Sequence, residues 1–423
     1  MTISRSTFFS VLAGVSALGA PRAAKPPWDP LPPPERAVRA LVLSGAGARG
    51  AYEAGALKWL YRDIASADPP FEVVCGSSAG AINAAFAALG TVTSIAQLET
   101  LWHGMAQADV IRLQPAVQDI VDAAVDVQQA SRLGFPSNLH YFNRARASLA
   151  AAGSPEDIAQ LGGASSDAGV RALVRQYPLD ITNLRSSLLI SATNITRMAS
   201  DAFYRFAGSD AAAATSRFLA RVQPRPRLAG EPAAPTLLPQ LPLHHELTQD
   251  NVEDALVASA AMPGVFKPVP VRHAETGDMA LYVDGGVVNN LSVSLAADAG
   301  AWDITILTGT ATNELPHNEA TLPGVLQEAY ALMHEQILQD DIGLAIAKNL
   351  LGRNRDLSGL NPTVQAYLRS LQASAWRPLV LRVIRPRTPL AVVTMGFNHQ
   401  DGIDAAFAQG YADAQSPFLY SMT

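Results

Sequence analysis

Short apolar runs alternate with segments of helical periodicity along the chain. Residues 37–43 form the first run, and in residues 50–64 the hydrophobic positions recur at helical spacing. A second run, residues 71–75, leads into an alanine-rich segment over 79–89. Short continuous apolar runs are typical of strands that are buried on both faces. The order strand, helix, strand, helix predicts a parallel sheet with right-handed crossovers.

Later segments extend the same pattern. The sequence predicts further strands over 187–192, 280–283, 304–307 and 378–384, and helices over 254–261, 322–350 and 403–414. The predicted fold is therefore an α/β protein with three layers, in which mostly parallel strands carry helices on both faces. A largely helical cap is predicted over 91–180, and a second insertion over 209–245 contains the proline-rich residues 223–242.

The N-terminus has the pattern of a secretory signal peptide. Arg5 precedes an uncharged apolar stretch over 8–20, and small residues follow it. The stretch is too short for an ordinary membrane-spanning helix. We expect a signal peptide over 1–24 and export to the periplasm or medium; a frayed N-terminal helix on a cytoplasmic protein is the alternative. A proline-rich linker over 25–36 then leads to one domain over 37–423.

Charge and cysteine content exclude several classes of function. The formal net charge is -6 and no long basic run is present, so the sequence does not predict binding to nucleic acid. Cys75 is the only cysteine, which excludes an intrachain disulfide and a cysteine-based zinc site.

A glycine-rich loop follows the first predicted strand directly. It reads Gly45-Ala46-Gly47-Ala48-Arg49-Gly50 and opens a helix. Glycines permit a tight turn with accessible N–H groups, and a helix N-terminus adds positive dipole, so the loop suits a phosphate or a developing oxyanion. Dinucleotide binding is an alternative, but it calls for an acidic residue near the end of the second strand, where Cys75 and Gly76 stand. A purely structural turn is the other alternative.

A G-x-S-x-G motif follows the second predicted strand. Its five residues are Gly76, Ser77, Ser78, Ala79 and Gly80. A buried strand before the serine and a helix after it are the context of a nucleophile elbow, in which a sharp turn projects the hydroxyl. We therefore predict Ser78 as a nucleophile. A tight strand-to-helix turn with a solvated serine is the alternative.

The third motif is Asp284-Gly285-Gly286, directly after the strand predicted over 280–283. Such a sequence on its own is a common turn. We expect that strand to be parallel to the others, so that its carboxyl end lies at the edge where α/β sheets place their sites. All three motifs would then meet on one rim.

These three motifs, in this chain order, resemble the signatures of patatin-like phospholipases. Residues 43–57 are similar to the family's first loop and helix, and residues 258–266 are similar to the segment before its aspartate. The resemblance covers about 37–307 with gaps. Ala46 departs from it, because many members have a third glycine there.

The resemblance implies a serine lipid acyl hydrolase with a Ser78–Asp284 dyad, an acyl-enzyme, and no metal or cofactor. The loop amides would hold the oxyanion, and the predicted donors are Gly45, Gly47, Ala48, Arg49 and Gly50. The departure at Ala46 matters little if the amides of Gly47 and Ala48 are the ones that donate. A lipid ester would be the substrate, with peripheral contact to a membrane. Arg49 would steer an anionic head group or pack structurally.

Two alternatives stay open on the sequence. An ordinary α/β-hydrolase triad needs a histidine after the acid, and His317, His334 and His399 follow Asp284. A non-catalytic lipid-binding protein could also keep the same scaffold.

Overall fold

The structure is a computed structural model. It describes residues 38–63, 69–132, 138–154, 162–222, 243–311 and 379–420, with a few positions between 332 and 343. The predicted signal peptide and linker, the proline-rich residues 223–242 and most of the helix predicted over 322–350 lie outside this part of the chain.

A ten-stranded sheet runs through the described part of the molecule. Its strands are β1 (Arg39–Leu43), β2 (Val73–Ser77), β5 (Ser187–Asn194), β6 (Ala199–Arg205), β7 (His244–Glu246), β8 (Val269–Arg272), β9 (Met279–Val283), β10 (Asp303–Leu307), β11 (Val380–Ile384) and β12 (Phe418–Tyr420). The order is β12-β11-β10-β1-β2-β5-β6-β7, and β8 and β9 attach beside β5. A separate two-stranded ribbon joins β3 (Arg112–Leu113) to β4 (Ser165–Ser166).

The centre of the sheet is parallel, and antiparallel pairs occur towards its edges, although the edge strand β7 pairs in parallel with β6. Strands β11, β10, β1, β2 and β5 pair in parallel. Strand β6 returns antiparallel to β5, and β12 returns antiparallel to β11. The predicted mostly parallel α/β fold is therefore confirmed. The apolar runs over 37–43 and 71–75 form the two central strands β1 and β2, shifted by up to two residues.

Helices cover both faces of the sheet. They are α1 (Gly50–Leu60), α2 (Ala79–Leu89), α3 (Val92–His103), α4 (Gln107–Val110), α5 (Pro115–Arg132), α6 (Asn138–Ala151), α7 (Ala168–Gln176), α8 (Ala211–Val222), α9 (Val252–Ser259), α10 (Val293–Asp298) and α11 (Gln400–Asp413). The helix predicted over 79–89 is found with the same bounds. Within the described ranges, no helix combines the length and the apolar character that crossing a membrane requires.

Side chains of alternate residues in the central strands pack into two separate hydrophobic cores. Leu41 and Val74 pack with α1, α2 and α11 on one face. Val42 and Cys75 pack with α8 and α10 on the other. Successive side chains of a strand point to opposite faces, so a run of apolar residues is needed to fill both cores. This arrangement gives the three layers.

Residues 91–180 are mostly helical where the structure describes them. Helices α3 to α7 lie here, and α5 and α6 pack against each other. Helix α7 packs on α9, which brings this segment onto the face of the sheet that carries α1 and α2.

The direction of β9 differs from the prediction. It runs antiparallel to both β5 and β8, whereas a parallel strand was expected ahead of Asp284. Strand β9 overlaps β5 through its last two residues, with Thr193 opposite Val283 and Asn194 opposite Tyr282. Asp284 still reaches the rim, because β9 approaches from beyond the end of β5 and stops there.

Candidate active site

Ser78 occupies a strained turn between β2 and α2. Its backbone has φ 54° and ψ -131°, a conformation that residues other than glycine rarely adopt. Holding a serine there costs on the order of 1–3 kcal/mol and requires support from its surroundings. The support comes from Ser259: its hydroxyl accepts the Ser78 N–H at 2.9 Å and donates to the Ser191 carbonyl at 2.7 Å. The turn is thereby fixed to both α9 and β5.

Asp284 lies within hydrogen-bond distance of Ser78. The Ser78 hydroxyl donates to Oδ2 of Asp284 at 2.6 Å, and the Gly286 N–H donates to Oδ1 at 2.7 Å. The Asp284 N–H donates to the carbonyl of Ala261 at 2.9 Å, which fixes the backbone at the end of β9. The sheet thus brings together two residues that are 206 positions apart in the sequence.

Burial makes the Asp284 carboxylate a stronger base than a free one. Only 2% of the residue is exposed, and desolvation raises its pKa from 3.8 to about 6, although the hydrogen bonds from Ser78 and Gly286 act in the opposite direction. At pH 7 most of the carboxylate is still ionised. It is therefore available to accept a proton from the serine hydroxyl.

Most amides of the glycine-rich loop already have acceptors. The Gly45 N–H donates to Oδ1 of Asn290 at 2.8 Å, and the Ala48 N–H donates to the Thr394 carbonyl at 2.7 Å. The amides of Arg49 and Gly50 donate within the loop itself, to the carbonyls of Ala46 and Gly47. These four residues were among the predicted oxyanion donors, and their N–H groups are used to hold the loop in shape.

Among the predicted oxyanion donors in the loop, Gly47 is the residue whose N–H has no acceptor in the described ranges. It lines the same cavity as Ser78. Its φ is +54°, and a Cβ here would stand 2.2 Å from the carbonyl oxygen of Thr394, so glycine is required. Ala79, at the first position of α2, likewise lines the cavity and has no acceptor for its N–H in that part of the chain.

An apolar cavity opens beside the Ser78–Asp284 pair. Both residues line it, and the other side chains of its wall are apolar. They come from α2, α3, α4, α7 and connecting segments: Ile82, Leu101, Trp102, Met105, Val110, Val170, Leu173, Ala260, Met262, Phe266, Met395 and Phe397. A space of this composition suits a hydrocarbon chain.

No histidine stands next to the serine in the part of the chain that the structure describes. Asp284 contacts the Ser78 hydroxyl directly, in the place that a triad histidine would take. His399 is the N-cap residue before α11, and its Nδ1 lies 3.2 Å from the Ala391 carbonyl. His317 and His334 lie outside the described residues.

Arg49 is buried, with 4% of its surface exposed, and its Nε donates to the Val392 carbonyl at 3.2 Å. This contact favours the packing role over the steering of a head group. Among the described residues, no group of three or more His, Cys, Asp or Glu side chains is placed to hold a metal ion.

Three residues of the site were not singled out by the sequence. Ser259 supports the elbow, Asn290 holds the Gly45 amide, and the backbone of Thr394 holds the Ala48 amide. Ser259 falls in the segment 258–266 that resembles the family. No spacing or motif distinguishes the other two, because only the fold brings them to the loop.

Comparison with known families now identifies the chain. The family model described as patatin-like phospholipase matches residues 41–297, more than half of the 423 residues. The chain belongs to the patatin-like phospholipase family. Membership of this family supports hydrolysis of lipid esters as its activity. The match includes both Ser78 and Asp284, whereas Thr394, Met395 and Phe397 lie beyond it.

Two solved structures are similar to this patatin-like chain. VipD from Legionella pneumophila shares 15% identity, with 90% of this chain and 68% of that chain covered and a TM-score of 0.32. ExoU from Pseudomonas aeruginosa, solved with SpcU, shares 16% identity, with 80% and 61% covered and a TM-score of 0.24. No curated protein sequence matches this chain.

Proposed function

We propose that this protein is a phospholipase A-like acyl hydrolase, which cleaves carboxylic esters of lipids through a Ser78–Asp284 dyad and an acyl-enzyme. The observation that carries the proposal is the 2.6 Å hydrogen bond from the Ser78 hydroxyl to a desolvated carboxylate, at the wall of an apolar cavity. Family membership supports the same activity.

In the first half-reaction, Asp284 accepts the hydroxyl proton as Ser78 Oγ attacks the ester carbonyl. The tetrahedral intermediate collapses, the leaving alcohol takes the proton from Asp284, and the acyl group stays on Ser78. In the second half-reaction, a water attacks the acyl-enzyme while Asp284 accepts its proton. The proton then returns to Ser78 Oγ and the fatty acid leaves.

The oxyanion of each intermediate needs hydrogen-bond donors close to Ser78. We assign this role to the N–H of Gly47, with that of Ala79 as the second donor, because both residues line the cavity and their amides have no acceptor in the described structure. A single donor of this kind contributes about 2.7–4 kcal/mol of transition-state stabilisation in a serine hydrolase. The Ser78 N–H is excluded because Ser259 accepts it.

The cavity suits the acyl part of the substrate. Its wall is apolar except at Ser78 and Asp284, so the acyl chain would lie inside with the ester at the dyad. The substrate would then be drawn from a lipid surface, with the enzyme in peripheral contact with it. Export through residues 1–24 is a further part of the proposal and stays a prediction.

The proposal is tested with purified protein on a panel of phospholipids and p-nitrophenyl esters. We expect turnover by the wild type, loss of it in Ser78→Ala and Asp284→Asn, and stoichiometric labelling of Ser78 by an organophosphonate. Folded wild type that neither turns over nor reacts with the probe would support the lipid-binding alternative. His317, His334 and His399 are replaced singly as controls, and total loss of turnover in one of them would support a triad instead.

A further inference from the structure

Glu53 is a buried acid that the proposed mechanism does not use. It lies on α1 with no exposed surface, and it forms no ion pair with any residue that the structure describes. Oε1 accepts a hydrogen bond from the Ser44 hydroxyl at 3.1 Å, and Oε2 accepts one from Nδ2 of Asn83 at 3.1 Å. Burying an acid without a cation costs free energy, so its position calls for an explanation.

Asn83 connects this acid to the wall of the cavity. Its Nδ2 donates to Glu53 and, at 3.0 Å, to the carbonyl of Gly50, while its Oδ1 accepts the indole N–H of Trp102 at 2.9 Å. Both donors of the amide have separate acceptors, and they leave its oxygen facing the indole. Glu53 therefore fixes the orientation of Asn83, and Asn83 fixes that of Trp102.

Besides the hydrogen bond to Asn83, close packing against Gly50 restrains the indole of Trp102. A Cβ added at Gly50 would stand 2.7 Å from Cζ2 of Trp102 and 3.2 Å from the Cβ of Ala79. The indole thus occupies the space that a side chain at Gly50 would fill, close to the residue that follows the nucleophile. Trp102 is 2% exposed and lines the cavity.

The methionines of the same cavity wall differ from Trp102, because no hydrogen bond from the described residues fixes their side chains. Met105, Met262 and Met395 line the cavity, and none of them has a polar group that could anchor it. Methionine side chains adapt their shape to what they contact. The cavity therefore combines an adaptable wall with one large aromatic group that is held by a hydrogen bond and by close packing.

We propose that Glu53 and Asn83 are positioning residues, which fix Trp102 as a rigid wall that limits the size of the acyl group admitted to Ser78. The inference rests on the proposed function, since it names the group that selects among its substrates. A misfit of one methylene in a rigid apolar pocket is worth about 10- to 200-fold in kcat/KM. If Trp102 is no longer held in place, the ratio of long-chain to short-chain kcat/KM should therefore change by at least about tenfold.

The test compares kcat/KM over saturated p-nitrophenyl esters of increasing chain length. In Trp102→Phe the hydrogen bond to Asn83 is lost, and we expect the ratio of long-chain to short-chain kcat/KM to rise at least about tenfold, mainly through KM for the long chains. Trp59→Phe is the matched control, because Trp59 packs on Tyr411 and does not line the cavity. Its profile should equal that of the wild type.

A second pair of variants tests Glu53 itself. Burial raises the pKa of Glu53 to about 8, so the acid is mostly neutral at pH 7 and glutamine has the same shape. We expect Glu53→Gln to keep the wild-type profile, and Glu53→Ala to shift it in the direction of Trp102→Phe. A purely structural role would lower the melting temperature of Glu53→Ala and leave its acyl preference unchanged.

Binding of free fatty acids of graded length to Ser78→Ala protein separates the two proposals. If the affinity depends on chain length, and this dependence changes when Trp102→Phe is added, the result supports Trp102 as the wall that limits acyl size. This holds even if the wild type shows no turnover. Profiles and binding that are unchanged by Trp102→Phe and by Glu53→Ala, in proteins that melt cooperatively, overturn the inference while leaving the dyad in place.

Discussion

The pKa of Asp284 should govern the acid limb of the pH–rate profile. The base is active when ionised, and burial raises its pKa to about 6, so kcat/KM should fall as the pH drops through 6. At pH 5 about 9% of a carboxylate with a pKa of about 6 is ionised, against about 93% of one with the ordinary pKa near 3.9. We therefore expect about a tenfold loss of kcat/KM between pH 7 and pH 5, where an exposed aspartate would lose almost nothing.

The assay is the initial rate on a short-chain ester at low substrate concentration from pH 4 to 8, with the released acid quantified by chromatography so that detection does not depend on pH. Circular dichroism at each pH establishes that the protein stays folded. Asp284→Asn should show neither the limb nor significant turnover.

Two results would refute this reasoning. A limb near pH 4 would mean that the carboxylate is solvated during catalysis or that Asp284 is not the base. A limb near pH 6 that disappears when a single histidine is replaced would assign the titration to that histidine. Retention of the limb in all single histidine variants is the expected outcome.

Three further predictions follow from the contacts of the site. Gly47→Ala should lower kcat by about 10²–10³-fold, because a Cβ would stand 2.2 Å from the Thr394 carbonyl and displace the donor; Gly208→Ala, also at positive φ but with open space around it, should leave kcat unchanged. Ser259→Ala leaves the buried Ser78 N–H without an acceptor, so we expect a loss of about 1–3 kcal/mol in urea unfolding together with lower kcat, whereas unchanged values would remove Ser259 from the site. The folded pKa of Glu53, about 8, exceeds the unfolded value of 4.5, so its contribution to stability is lost as the pH rises from 4.5 to 8. Urea unfolding at pH 5 and 9 should show Glu53→Gln gaining on the wild type by at most about 4 kcal/mol, and an equal gap at both pH values would mean that the pKa of Glu53 is not raised in the folded protein.

The central part of the fold could be predicted because its signals are local. Strands β1 and β2 are apolar runs, since both faces are buried, and α2 is an alanine-rich segment bounded by the serine turn and by Gly90. The same reasoning placed Ser78 and the glycine loop at one edge of the sheet. Each of these predictions needed only a window of about ten residues.

Strand β6 shows why other elements could not be predicted. Its sequence, Ala199–Arg205, carries Asp201 as its third residue, and an aspartate is unusual inside a buried strand. In the structure Asp201 is fully buried, and it accepts hydrogen bonds from Asn194, Leu243 and Tyr282. Two of these donors are more than 40 positions away in the sequence, so a local pattern does not reveal that the acid can be buried.

The antiparallel direction of β9 could not be predicted for the same reason, because it depends on residues far away in the sequence. Whether a strand pairs in parallel depends on its neighbours, and the five residues of β9 carry no information about them. The position of Asp284 was nevertheless predictable, because the aspartate follows the end of the strand and the site needs only that end to reach β5. Three motifs that each follow a predicted strand therefore indicated the site more reliably than the strand directions that were predicted with them.

The contacts of the glycine-rich loop show that the site includes residues beyond 41–297, the segment that the family model matches. The Ala48 N–H donates to the Thr394 carbonyl, and the oxygen of that same carbonyl lies 2.2 Å from where a Cβ at Gly47 would stand. The orientation of the Gly47 N–H therefore depends on a segment about 100 residues past position 297, where the family match ends. Met395 and Phe397 of this segment line the cavity as well. The proposed nucleophile and base, Ser78 and Asp284, lie within the matched residues, but the proposed oxyanion donor and part of the cavity wall depend on residues outside them.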